Sequence, residues 1–147
     1  RVLPLPHQQP LDVWLGGIAP SELRRVGRLA DGWLPSFVTP DDVAVGIGTV
    51  NEVAASHGRE IEAEQFGVLV PYANGPIDER VLGFLHDRRP DIDPRDLVAS
   101  SPAGLVGLIK RFVAVGASKF VAVPFAPLGD ITAALEELAA VVRPLET

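Results

Sequence analysis

Four short apolar runs, each followed by a stretch with helical spacing, constrain this chain more than any other feature. They are residues 11–15 (LDVWL), 32–38 (GWLPSFV), 65–70 (QFGVLV, ended by Pro71) and 119–124 (KFVAVP). None of them alternates apolar with polar residues. A strand that is apolar throughout is covered on both faces, and helices lying between successive strands supply that cover. The pattern therefore predicts four strand–helix units with parallel strands, an α/β fold.

The intervening stretches carry helix signals. Pro20-Ser21-Glu22 opens the first, because proline suits the first helical position, where its missing N–H goes unused. Leu23, Val26 and Ala30 then form its apolar stripe, with Glu22, Arg24, Arg25 and Arg28 toward water. Thr39-Pro40-Asp41-Asp42 opens the second, with Thr39 as N-cap and acids near the positive helix end. Val43, Ile47, Val50 and Ala54 face inward, and Gly58 suits the left-handed cap. Pro76-Ile77-Asp78-Glu79 starts a third, with Ile77, Val81 and Leu85 inward. The charged segment 86–96 reads as an exposed turn with a second short helix, and Val98-Ala99 as a brief extended link. Ser101-Pro102 begins a helix ended by Gly116, with Leu105, Leu108, Ile109, Phe112 and Val115 on one side. The last helix, 130–142, has Ile131, Ala134, Leu135, Leu138 and Val142 as its stripe. Residues 1–10, with three prolines, read as an extended lead-in.

Four such units suit a small open sheet or half of an eight-unit barrel. A whole barrel takes roughly 250 residues, and this chain has 147. It also contains no methionine, so Arg1 is not a translational start and a longer parent protein is expected.

Composition excludes several function classes. The net charge of −6 comes with no basic cluster, which argues against nucleic acid and anionic membranes as partners. The absence of cysteine excludes disulfides, thiol catalysis and thiolate metal sites, and suits the cytoplasm. No apolar run reaches the ~20 residues of a membrane span, and the N-terminus is no signal peptide. His7, His57 and His86 lie far apart and lack carboxylates at metal-ligand spacing, so no metal site is expected. Asp78-Glu79 and Glu136-Glu137 are adjacent acids on helices, which point in different directions and read as solvated faces. Phosphate-loop, G-x-G-x-x-G, G-x-S-x-G and zinc signatures are absent.

The segment Asp12-Val13-Trp14-Leu15-Gly16-Gly17, with Pro20, Leu23-Arg24-Arg25 and Leu29-Ala30-Asp31-Gly32-Trp33-Leu34-Pro35, resembles the luciferase-like monooxygenase superfamily. Ser101-Pro102, Phe112, Gly116 and Lys119-Phe120-Val121 resemble the family's last helix–strand passage. The resemblance spans about residues 10–144 and implies a (β/α)8 TIM barrel, of which 1–147 would be the C-terminal half, strands five to eight. The Ala-, Val-, Arg- and Pro-rich composition is similar to the branch that uses coenzyme F420. The resemblance thus implies an oxidoreductase that moves a hydride between F420 and a small organic substrate. FMN-dependent monooxygenation is the alternative, and a cofactor-free barrel or binding module a third reading. The family's acid/base residues belong mostly to the other half of the barrel, so no catalytic residue is assigned in this chain.

Gly16 and Gly17 end a strand just before a helix, where bare backbone amides and the helix's positive end suit an anion. In the resembled family this turn meets the cofactor phosphate; the plain alternative is a tight turn. Ser36, at the end of the second strand, falls at the next phosphate contact, without the lysine some relatives have nearby. Tyr72 and Asn74 follow the third strand and Phe125 the fourth, where barrel active sites form, so they are candidates for the substrate pocket. Trp14 and Trp33 read as core, and Asp31 as a turn residue. A half barrel leaves two sheet edges and its interior uncovered, so either the N-terminal half or another copy of the chain is the expected partner.

Overall fold

The structure is a computed structural model that describes residue 7, residues 10–125 and residues 130–145. Most of the predicted lead-in 1–10 therefore lies outside the described residues. The elements run β1 (Trp14–Leu15), α1 (Pro20–Leu29), β2 (Gly32–Trp33), α2 (Pro40–Ser56), β3 (Gly67–Tyr72), α3 (Glu79–Arg88), α4 (Pro102–Ala114), β4 (Lys119–Pro124) and α5 (Ile131–Val142). Single 3-10 turns occupy Ala63–Gln65, Pro94–Asp96 and Arg143–Leu145.

Among the described residues all the strand pairings are parallel. β1 pairs with β2 and β3 with β4, and the bridges Trp33↔Phe66 and Ser36↔Leu69 join β2 to β3. The spatial order is thus the sequence order, with no reversal point. An open doubly wound sheet reverses its strand order, whereas a barrel wall does not. Helices α1, α2 and α4 bury one face of this wall. Their Val26, Val43, Val50, Leu105, Ile109 and Phe112 close over Trp33, Phe66, Val68 and Val70 in one core. Burying a side chain of this size contributes about 1.5–3 kcal/mol.

The opposite face is thinly covered. Here the Trp14 ring lies so close to Gly32 that a Cβ there would sit 2.5 Å from it, and Lys119 places its ammonium 5.5 Å from that ring's centroid. Further along β4, Val121 is 45% exposed. A parallel strand with a bare apolar residue is unusual, since such sheets are normally covered on both sides.

Three expectations need correction. The first two strands are shorter than 11–15 and 32–38, at Trp14–Leu15 and Gly32–Trp33, and Leu11 and Val13 are exposed at the edge of the wall. Pro71 does not end the third strand but lies within β3. It is tolerated because β2 leaves the sheet beside it. Leu69 N–H donates to the Pro35 carbonyl at 3.0 Å, and the next donor along the ladder would be the N–H that proline lacks. Beyond that point Ala99 takes over the edge, bridging Tyr72 in parallel through Ala73 N–H to Ala99 O and Ala99 N–H to Pro71 O. Finally, Ile131 and Leu135 of the α5 stripe are exposed, at 62% and 55%, because α5 packs at the margin of the wall.

Candidate active site

The strand C-termini form a rim. At its first corner β1 ends in Gly16 and Gly17, and the latter has φ +95°, a conformation that L side chains rarely adopt. Gly16 is exposed, and a Cβ on it would lie 3.1 Å from the Leu34 carbonyl of the neighbouring strand. Trp33, fully buried under α2, donates its indole N–H to the Gly17 carbonyl at 2.9 Å and so fixes the bend.

Immediately after the bend, Glu22 reaches back from the first turn of α1. One carboxylate oxygen accepts the Ile18 N–H at 3.0 Å and the Ala19 N–H at 2.9 Å. These are the amides that a helix start offers to an anion, and the chain's own carboxylate holds them. A cleft of about 240 Å3 beside the corner, lined by Ile18, Leu23, Trp33, Asp41, Asp42 and Val45, adds two further acids. The corner is rich in backbone donors and poor in positive charge.

Ser36 stands one strand over, half-buried and bridged to Leu69. Among the described residues no hydrogen bond engages its hydroxyl. Structure and spacing thus bring Gly16, Gly17 and Ser36 to the same end of adjacent parallel strands.

The second corner is aromatic. Phe37 has φ +55°, a left-handed conformation that costs a non-glycine residue about 1–2 kcal/mol. Its ring meets Phe84 of α3 edge-on, with centroids 5.7 Å apart, and Phe125 beyond β4 at 6.4 Å. Phe37 and Phe125 also pack against a small second core of Leu85, Leu97 and Val98, which seats the 79–98 segment on the rim. Tyr72, by contrast, packs into the main core, and Asn74 is exposed and donates to Glu137 of α5 at 3.3 Å. Of the three predicted pocket residues, Phe125 alone joins the aromatic group.

Arg89 holds this corner in place. Only 8% exposed, it donates to the Phe37 carbonyl and to Asp42, both at 2.9 Å, and pairs with Asp91 at 2.9 Å. The Phe37 carbonyl is the acceptor that Pro71 leaves without a strand partner. Asp42 in turn accepts the Thr39 N–H at 2.8 Å and so closes the cap of α2. Burial works to raise the Asp42 carboxyl, but hydrogen bonds from Arg89 and Thr39 outweigh it and hold the group below its ordinary value. The Arg89 hydrogen bond likewise holds the exposed Asp91 low. Arg89 itself is pushed up, first by Asp91 and, against the effect of burial, by Asp42, so it stays charged.

Sequence reasoning placed Arg88 and Arg89 in the exposed charged segment 86–96, left Glu22 facing water, and missed Phe37 and Phe84. The available signals were an acid two residues after Pro20, which is a capping position, and a proline in a strand, which strands a carbonyl. His7, His57 and His86 are exposed and mutually remote in sequence. Among the described residues no three His, Cys, Asp or Glu side chains are grouped to hold a metal. No helix among them is long and apolar enough to cross a membrane.

Comparison with known proteins follows the same lines. The sequence profile of luciferase-like monooxygenases matches residues 1–87, more than half of the chain. An F420-dependent secondary alcohol dehydrogenase, solved with an F420–acetone adduct, superposes with a TM-score of 0.73 at 14% identity, over 97% of this chain and 51% of its own. The F420-dependent tetrahydromethanopterin reductase of Methanopyrus kandleri gives 0.68 at 17% identity, over 93% and 51%. The oxygenating constituent of 3,6-diketocamphane monooxygenase from Pseudomonas putida, solved with FMN, gives 0.61 at 15%, over 92% and 48%. At such identities the likeness concerns the fold, and the fold is half of a (β/α)8 barrel. The chain spans about half the length of these proteins. A short stretch of 56 residues is 39% identical to GTPase Der of Pectobacterium carotovorum, covering 38% of this chain and 11% of that protein. The sequence has no G-x-x-x-x-G-K-[ST] loop to support a nucleotide reading of that stretch.

Proposed function

Because the chain belongs to the luciferase-like monooxygenase family, we propose that residues 1–147 are the C-terminal half of an F420-dependent oxidoreductase barrel acting on a small organic substrate. The observation that carries this reading is the meeting of Gly16, Gly17 and Ser36 at the C-terminal ends of adjacent parallel strands, the end where barrel enzymes keep their sites.

When bound, the cofactor supplies a carrier for a hydride, and the protein supplies position and access. In this chain the exposed Gly16 leaves room for an anionic tail, Gly17 turns the backbone toward it, and the Ser36 hydroxyl is free to donate. The fit is conditional at one point: for the Ile18 and Ala19 amides to serve an anion, Glu22 has to release them. The Trp33–Gly17 hydrogen bond keeps the bend in register while that happens. Phe125, with Tyr72 behind it and Asn74 at the edge, lies on the substrate side of the mouth in this reading.

FMN-dependent monooxygenation is the second reading, supported by the likeness to an FMN-bound monooxygenase. The Glu22 carboxylate at the glycine bend supports the third, a barrel without cofactor. Titration of the full-length protein with F420 and with FMN, followed by absorbance, separates the three. Binding of F420 supports the first reading, binding of FMN alone the second, and binding of neither the third.

The open face that carries Trp14 and Val121 is the barrel interior in this proposal, covered by the N-terminal half or by another copy of the chain. A monodisperse, stable monomer of the 147-residue chain in sedimentation contradicts that part.

A further inference from the structure

We propose that Phe37, Phe84 and Arg88 form a subsite that takes the carboxylate end of a substrate with a flat apolar body. The inference rests on the reading of the rim as an active-site mouth, and it names the class of substrate received there.

Arg88 lies over two rings at once, its guanidinium carbon 5.9 Å from the Phe37 centroid and 5.2 Å from that of Phe84. A guanidinium beside two aromatic rings is held by cation–π attraction and still keeps N–H donors, which can grip a planar anion with two parallel hydrogen bonds. Among the described residues no carboxylate lies within 4.0 Å of Arg88, although the chain carries 19 acids against 13 basic residues. The nearby Asp91 is committed to Arg89 instead. The platform is also incompletely buried. Phe84 is 42% exposed, while Leu82 and Leu85 of the same helix are buried and suffice to seat it.

Construction of the platform is costly in ways that packing alone does not explain. Phe37 is held in a left-handed conformation by a buried arginine, and backbone strain of this kind concentrates where a ligand is met. The arrangement is also complementary to its opposite corner. Glu22 and Asp41 stand toward the glycine side of the rim and Asp42 is paired with Arg89, which among the described residues leaves Arg88 as the unpaired cation beside the aromatic rings.

The probe is para-fluorobenzoate, titrated into the full-length protein and followed by fluorine NMR, with the neutral para-fluorobenzamide as control. The expected result is benzoate binding about tenfold tighter than benzamide, with the preference abolished in R88A and in R88Q, the latter keeping a polar amide donor without the charge. F84A is expected to weaken both probes. Equal affinity for the two probes, no binding of benzoate, or an unchanged preference in both Arg88 variants overturns the proposal. F420 and FMN titrations on the same samples keep the two readings apart. A protein that binds cofactor but shows no benzoate preference loses the subsite alone. A protein that binds neither cofactor but keeps an Arg88-dependent preference retains the subsite as a binding site and loses the oxidoreductase reading.

Discussion

At the glycine corner of the rim a carboxylate, Glu22, closes two backbone amides, whereas at the aromatic corner a buried guanidinium, Arg89, closes a backbone carbonyl and leaves its neighbour Arg88 open. Both corners solve the same problem, a polar backbone group freed where a strand stops. They solve it with opposite charges. The difference teaches that availability of donors is not the same as availability of a site. The glycine corner has amides already partnered, and an incoming anion competes with an internal acid. The aromatic corner has a cation whose structural work is done by the residue next to it.

The comparison can be broken most strongly at Arg89. In R89M the Phe37 carbonyl and Asp42 lose their partner, and urea unfolding is expected to register a loss of about 2–3 kcal/mol, tempered by the partial exposure of Asp42. A change below about 0.5 kcal/mol would mean that the arginine does not hold the corner. At the opposite corner G17V forces a side chain into φ +95° and into Glu22, where the added Cβ would lie 2.5 Å from the carboxyl group. About 2 kcal/mol of destabilisation is expected, together with loss of cofactor binding; retained binding would remove the bend from the site.

Acid titration sharpens the contrast further. The Asp42 carboxyl has a folded pKa below its ordinary value, so its contribution to stability is fully present above about pH 4 and is lost as pH falls through the lowered folded value. D42N is therefore expected to be less stable than the parent at neutral pH and to converge with it in strong acid. A gap that persists at low pH would assign the effect to packing. The smallest effect is expected from E22Q, which keeps an oxygen for the Ile18 and Ala19 amides but removes the charge. Stability should change by less than about 1 kcal/mol, while cofactor affinity rises a few-fold; unchanged affinity would mean that Glu22 does not compete with the anion.

The parallel strand–helix order was legible because periodicity reports burial, and burial follows from composition along the chain. Thr39, Asp130 and Ser101 accept the first free amides of their helices, where spacing alone had located the starts of α2, α5 and α4. The strand ends were less legible. Pro71 reads as a terminator by its missing donor, yet whether that donor is needed depends on where β2 departs, a tertiary fact. The aromatic corner was hidden for the same reason. Phe37, Phe84 and Phe125 are dozens of residues apart, and only the tertiary fold brings their rings together. Arg89 sits in a stretch of charged residues whose local pattern speaks for solvent, and its burial is decided by a carbonyl 52 positions earlier.

Hydrogen–deuterium exchange on the full-length protein, with and without saturating F420 or FMN, tests most directly whether the strand ends receive a cofactor. Slowed exchange at residues 16–19 and 35–38 on binding is the expected outcome. Saturation by either cofactor with those amides exchanging as before would contradict the account.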